Sequence, residues 1–412
     1  MKHLGLVLII IFSSLSGSAT LHSADESKPH RPHPFGQREH VVWRMNDETE
    51  PTSIPAEIQW VSEPWFREKP DENAQMPYLT YLPEQDRVLM LVETHQPIRT
   101  AFIHSDDHGG TWSERTWLST DADGQPAGVA LGLTNLGGGK LLAYPENLAH
   151  GKWVSDDYGQ SWKFLPVHDI VKTRYMWDPL LVQKDKNGKV PKLIEASYRE
   201  TGVPWGSPDG YYSQAYFRTS VDEGATWNDE VKVPQWLGVN EVNLIRASNG
   251  DLVAACRTDY PSRFAHLKLD HFGGLAVSIS QDDGKTWSKL NPLYEWGRHH
   301  PSQVLMPNGD LLMTYVVRLG YPATWTGIPQ FGVEAVISHD HGQTWDKARR
   351  YILASWEGNI VGDTAWFCGV QSTTTILLPD GMLLTAFGTG FRNPADTKIC
   401  KMDVALVRWK LE

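Results

Sequence analysis

The chain has 412 residues, with 38 Lys and Arg against 49 Asp and Glu, for a formal net charge of −11 at pH 7. The charges are spread along the sequence, so no basic stripe offers itself to nucleic acid or anionic lipid, which argues against polyanionic partners. Three cysteines, Cys256, Cys368 and Cys400, allow at most one disulfide without choosing the pair, so stability must come from a core to which 18 tryptophans are available.

Residues 1–24 open with a basic start, continue through an apolar run from Leu4 to Phe12 and end in small residues at Ala19 or Ala24. This is the pattern of a secretory signal peptide, too short to span a bilayer. No other apolar run approaches the roughly 20 residues of a transmembrane helix. The expectation is an exported protein, periplasmic or extracellular. Residues 25–40, DESKPHRPHPFGQREH, read as a flexible polar leader whose irregularly spaced histidines fit a solvated tail better than a metal site. From Val41 onward, short apolar runs are punctuated by Gly, Pro, Asn and Asp with almost no helical period, so 41–412 reads as one all-β domain.

Two phrases then recur in alternation. One is a turn followed by an apolar strand: LPEQDRVLMLVE (82–93), LGGGKLLAYPE (136–146), KNGKVPKLIEASYR (186–199), ASNGDLVAACR (247–257), MPNGDLLMTYVVR (306–318) and LPDGMLLTAFGTGFR (378–392). The other follows the first five of these: SDDHGGTW (105–112), SDDYGQSW (155–162), SVDEGATW (220–227), SQDDGKTW (280–287) and SHDHGQTW (338–345). Its aspartates, Asp107, Asp157, Asp222, Asp282 and Asp340, are 50, 65, 60 and 58 residues apart. A period of that size, holding about four strands, predicts propeller blades. The fold read from the sequence is a six-bladed β-propeller of four-stranded antiparallel blades, with EHVVWRM or AEIQWV completing the blade begun by the C-terminal VALVRW. In the shorter phrase Gly supplies a positive φ, Asp and Ser or Thr bond the turn's own backbone, and Trp packs into the next sheet. Five equivalent aspartates build turns, because a reaction needs one asymmetric site.

These phrases resemble the Asp boxes of the sialidase (neuraminidase) superfamily, whose fold is a six-bladed propeller with its active site on the axis. In that family three arginines hold the sugar carboxylate, a tyrosine activated by a glutamate attacks, and an aspartate is the acid/base. NEVNLIRASNGDLVAACR resembles the segment carrying the glutamate and one triad arginine, which implies those roles for Glu241 and Arg257. Elsewhere the sequence departs. AQMPYL puts Gln75 where the first arginine stands, GVQSTTTILLPDG puts Gln371 or Val370 at the tyrosine's place, and QFGVEAVISHDHG lacks the third arginine. The ordinary sialidase mechanism is therefore in doubt.

In a propeller the residues flanking each inner strand pair face the mouth. Four such strands end in arginine, at Arg199, Arg257, Arg318 and Arg392, and their forked donors suit a carboxylate or sulfate. Arginine at a strand end also snorkels, so Arg257 and Arg318 together are the firmer pair. Carboxylates in matching places are Glu241, Asp178 and Glu93, and a glycosidase needs two. Asp178, in MWDP, can instead cap the turn before Pro179. In RHHPSQ, strand alternation lets one of His299 and His300 face the channel, where it can serve as acid or base. Trp366 and the loop aromatics Trp177, Trp205, Tyr211, Tyr212 and Trp325 can stack on sugars. No cofactor is implied, and no cluster at ligand spacing points to a metal.

The sequence thus predicts an exported glycoside hydrolase removing a terminal, acidic sugar, an exo-α-sialidase or a relative of one. Glu241, Asp178, His300 and Glu93 are its candidate catalytic residues, and Arg257, Arg318, Arg199, Gln75, Gln371 and Trp366 its candidate substrate contacts. The alternatives are a uronate lyase and a non-catalytic sugar-binding propeller.

Overall fold

The computed structural model describes residues 38–61, 74–95, 98–118, 129–145, 151–166, 174–185, 187, 189–190, 192–204, 207–259, 263–264, 273–319, 331–356, 372–389 and 403–411. The described strands form four four-stranded antiparallel sheets and one nine-stranded sheet. In chain order, blade 1 holds Ala74–Leu82, Arg87–His95, Ile98–Ser105 and Thr116–Trp117. Blade 2 holds Ala130–Gly137, Lys140–Pro145, Lys152–Ser155 and Lys163–Leu165, and blade 3 holds Leu181–Gln183, Lys192–Glu200, Ser213–Ser220 and Val231–Leu237. Blade 4 comprises Val239–Arg246, Leu252–Thr258, Gly274–Ser280 and Asn291–Tyr294.

The nine-stranded sheet contains two further units. Blade 5 is Arg298–Leu305, Leu311–Arg318, Phe331–Ser338 and Tyr351–Trp356; blade 6 is Thr373–Leu377, Leu383–Thr389, Asp403–Trp409 and the N-terminal Thr52–Trp60. Strand Arg38–Arg44 lies between them, pairing with both Thr52–Trp60 and Tyr351–Trp356. Both N-terminal segments therefore have a place: AEIQW is the outer strand of blade 6, and EHVVWR ties blade 6 to blade 5. The first strand begins within the stretch read as leader, because its pairing runs back to Arg38 opposite Ile58. The first strands of the blades contact one another in sequence, and the one at Thr373–Leu377 meets the one at Ala74–Leu82, so the ring closes.

Six apolar clusters fill the gaps between consecutive blades, which is where alternating strand faces must bury their apolar residues. The box tryptophans serve five of these gaps. Trp112, Trp287 and Trp345 are buried in them, and Trp162 and Trp227 pack partly buried against theirs. The gap between blades 5 and 6 has no box and is filled by Trp356 and Trp409 instead.

The boxes repeat almost atom for atom. In the first, Ser105 Oγ accepts from the Gly109 N–H (2.7 Å) and donates to Asp107 Oδ1 (2.8 Å), which also accepts from the Thr111 N–H (2.7 Å), while the Thr111 hydroxyl donates to Oδ2 (2.8 Å). Asp157, Asp222, Asp282 and Asp340 make the same bonds. Two successive residues carry positive φ in every box, for example His108 (57°) and Gly109 (95°). The box aspartates are thus committed to their own turns.

Candidate active site

The inner strands of blades 1, 2, 4 and 5 each shift register near their first residues, between Gln75 and Tyr78, Leu131 and Thr134, Val239 and Val242, and His299 and Ser302. Three of the bulges hold a residue of positive φ: Met76 (49°), Gly132 (63°) and His300 (50°). A bulge re-aims side chains that strict alternation would send into the blade interface. Non-glycine residues in this region of φ cost energy and collect at functional sites.

Glu241 is the centre of what these bulges assemble. It is 5% exposed, and its Oε1 accepts from Arg257 Nη1 (2.6 Å). His300 Nδ1 lies 2.6 Å from Oε2, but off the direction of a good hydrogen bond. The His300 Nε2 accepts from the same Arg257 Nη1 at 3.0 Å, which fixes the neutral tautomer with its proton on Nδ1. Burial works against the Glu241 charge, yet Arg257 and His300 hold its pKa down at about 2. Burial and the Arg257 charge outweigh Glu241's attraction for His300 and push the imidazole down to about 4. Buried Arg318 is pressed well below the usual arginine range by burial and by the like charge of Arg257, with Glu241 partly offsetting both.

Asp178 occupies a bend just before Leu181–Gln183 and faces blade 4. It does not cap its own turn: Oδ1 accepts from Asn243 Nδ2 (3.2 Å), and the Val242 N–H also reaches the carboxylate. Asn243 cannot swap its amide ends, because its Oδ1 accepts from the Gln303 N–H (3.0 Å). Burial first, and the Glu241 charge second, raise Asp178 to about 7. Gly132 makes room for this bend, since a β-carbon there would come within 3.0 Å of the Asp178 carbonyl oxygen. Two carboxylates in one buried cluster are therefore driven apart, Asp178 up to about 7 and Glu241 down to about 2, the arrangement that separates an acid from an ionised partner.

Two tyrosines complete the cluster. Tyr78 donates to the Trp177 carbonyl (2.6 Å), and burial followed by the charges of Asp178, Glu241 and Glu93 raises its pKa. Tyr198 accepts from Trp177 Nε1 (3.3 Å) and is raised by burial and Glu241. Neither tyrosine was expected. Tyr198 adjoins Arg199 on one strand, and alternation sends the two in opposite directions; Tyr78 depends on the bulge after Gln75, which no local pattern announces.

The remaining candidates divide. Buried Glu93 stands opposite buried Gln75 in the strand register and acts electrostatically on Tyr78, so both belong to the blade 1 side of the mouth. Arg199 does not join the cluster: it pairs with Glu230 and lies over the Tyr216 ring at 4.7 Å. The bulge breaks the expected alternation of the histidines, whose rings tilt against each other at 4.7 Å; His300 reaches Glu241, while His299 is fully buried. Gln371 and Trp366 lie outside the described residues, as do Arg392, Cys368, Cys400 and residues 1–37. Cys256 is buried as a free thiol. Among the described residues no group of three or more His, Cys, Asp or Glu is placed to hold a metal ion, and no helix is long and apolar enough to cross a membrane.

A family model described as BNR/Asp-box repeat matches residues 336–347, the fifth box. No curated protein matches the chain. Among solved structures, the GH93 α-L-arabinofuranosidase of Fusarium graminearum in complex with arabinobiose gives a TM-score of 0.51 at 13% identity, over 90% of this chain and 98% of that one. The intramolecular trans-sialidase from Ruminococcus gnavus, in complex with oseltamivir carboxylate, gives 0.48 at 12% identity over 82% and 94%. The NanB sialidase from Streptococcus pneumoniae gives 0.48 at 14% over 82% and 68%. The fold of this chain is a β-propeller that carries the Asp-box repeat.

Proposed function

We propose that the chain is an exported glycoside hydrolase that removes a terminal acidic sugar from a glycan. The observation that carries the reading is the divergence of Asp178 and Glu241 within one buried cluster. Asp178, titrating at about 7, is the general acid that protonates the departing glycosidic oxygen. Glu241 stays ionised across the working range and stabilises or attacks the positive anomeric carbon. Arg257 and Arg318 are both buried and act on each other as like charges, and their forked donors suit a sugar carboxylate. Sialic acid is one sugar of that kind. His300 Nε2 accepts from Arg257 and its Nδ1 faces Glu241 at 2.6 Å, which makes it a positioning residue for Glu241 and weakens the lyase alternative, in which it would be the free base.

The supporting likeness is one of fold, to an arabinofuranosidase crystallised with arabinobiose. The test is a screen of the purified protein and of Glu241→Gln against sialosides and acidic plant and marine glycans, reading released reducing sugar and ultraviolet absorbance. Release of a sugar without unsaturation, lost in the variant, is the expected result. An ultraviolet-absorbing product identifies a lyase instead, and silence of the wild-type protein across the panel identifies a binding propeller.

A further inference from the structure

Beside the mouth, between blades 3 and 4, lies a cavity of about 680 Å³ that the Glu241 cluster does not use. Its walls come from residues 207–212, from the junction at Leu237–Gly238, and from the strand ends at Thr258–Asp259 and Tyr294–Glu295. In antiparallel blades these positions all fall at the end that carries Glu241 and Arg257. The inner wall is the same chain: Gly238 is three residues before Glu241, and Thr258 follows Arg257 directly. Asp259 ties the two sides together, accepting from the Ser213 hydroxyl (2.6 Å) in blade 3 while its own N–H donates to the Gly238 carbonyl (2.7 Å).

The lining has the character of a sugar platform. Tyr211 and Leu237 are large apolar residues left 54% and 44% exposed in it. The Tyr211 ring is seated in advance, so close over Gly238 (φ 79°) that a β-carbon there would come within 2.4 Å of it. The Thr201 hydroxyl bonds the Tyr211 carbonyl (2.5 Å) and holds the loop from behind. An exposed, preset aromatic face beside polar groups favours a ring with one apolar face and a hydroxylated edge. The charged lining residues are Asp209, Asp259 and Glu295 against Arg263, and Arg263 is already engaged by Glu295 in two bonds, at 2.5 and 2.9 Å. The wall is therefore net acidic and repels an anionic chain.

We infer that this cavity binds the leaving-group side of the substrate and that the sugars it takes are neutral. The inference rests on the hydrolase reading for its direction, since the acidic terminal sugar sits at Arg257 and Arg318 and the chain beyond the cleaved bond runs out over Tyr211.

The test is a binding measurement by calorimetry on the full chain carrying Glu241→Gln. The probes are neutral pentasaccharides of β-1,4-glucose, β-1,4-xylose, α-1,5-arabinose and β-1,3-galactose, with tri-galacturonate as the acidic control. At least one neutral pentasaccharide is expected to bind, with affinity reduced roughly tenfold by Tyr211→Ala and kept by Tyr211→Phe, as loss of one stacking ring predicts. No neutral binding, affinity indifferent to Tyr211→Ala, or Tyr211-dependent binding of the galacturonate alone overturns the inference. Its failure and that of the hydrolase reading are separable. Tyr211-dependent neutral binding by a wild-type protein that cleaves nothing keeps the cavity and discards hydrolysis, while cleavage with Tyr211-independent affinity does the reverse.

Discussion

Glu195 and Glu241 are both buried against arginine in this propeller, and they are not alike. Glu195, in blade 3, has each carboxylate oxygen bonded to Arg218 at 2.8 Å, with Arg174 at 3.7 Å behind it and the Arg218 guanidinium lying over Trp227 at 4.5 Å. Glu241, in blade 4, has one oxygen bonded to Arg257 and the other met obliquely by His300, with a second carboxylate near enough to have its proton held by the Glu241 charge. Burial and charge type are the same in both; what differs is spare capacity. The first is a saturated ion pair that joins strands, and the second keeps an oxygen and an acidic proton available for chemistry.

The comparison is broken most decisively on the catalytic side. Asp178→Asn keeps the Asn243 bond but cannot give a proton, so turnover of an unactivated glycan should fall by about 10²–10⁴. An aryl glycoside, whose leaving group needs no proton, should be spared much of that loss. Equal losses on both substrates would remove Asp178 from the role of acid.

Glu195→Gln tests the other half. Removing the charge that both bonds of Arg218 meet, with Arg174 keeping its pair to Glu230, should cost about 3 kcal/mol in denaturant unfolding, while activity per folded molecule is unchanged. An activity loss in a protein of normal stability would make Glu195 part of the site.

A smaller effect sharpens the contrast through pH. Asp178 has a folded pKa above its unfolded value, so its contribution is fully present below the unfolded pKa of about 4 and is lost as pH rises through about 7. Asp178→Asn should therefore melt higher than the wild-type protein at pH 8, by on the order of a few degrees, with less gain at pH 5. The smallest expected change is that of Asn243→Ala. Losing a donor to the charged carboxylate raises the Asp178 pKa further, so the alkaline limb of the rate profile should move to higher pH; movement to lower pH would contradict the assigned bond.

How much of this was legible in the sequence follows the distance over which each feature is built. An Asp box closes its hydrogen bonds within four residues, from Ser105 to Gly109 and from Asp107 to Thr111, so five copies could be read directly and their spacing gave the blades. Glu241 and Arg257 sit on paired neighbouring strands and were within reach. Asp178 and His300 could be named as candidates, but their partners Asn243, Gln303 and Tyr78 could not, because these residues come from four different blades and meet through bulges, which change the phase of a strand without changing its composition. Arg199 and Tyr198 show the cost: the strand was identified, and the residue that joins the site is the one beside the residue chosen.

The most direct test of the central claim needs no substrate. Carboxyl carbons of Asp and Glu, labelled with carbon-13, can be titrated by NMR in the wild-type protein and in Asp178→Asn and Glu241→Gln. The expected result is one carboxyl titrating near pH 7 that disappears in Asp178→Asn, and a Glu241 signal that stays ionised to the acid limit of the folded protein. An Asp178 that titrates near the ordinary value of about 4 would contradict it.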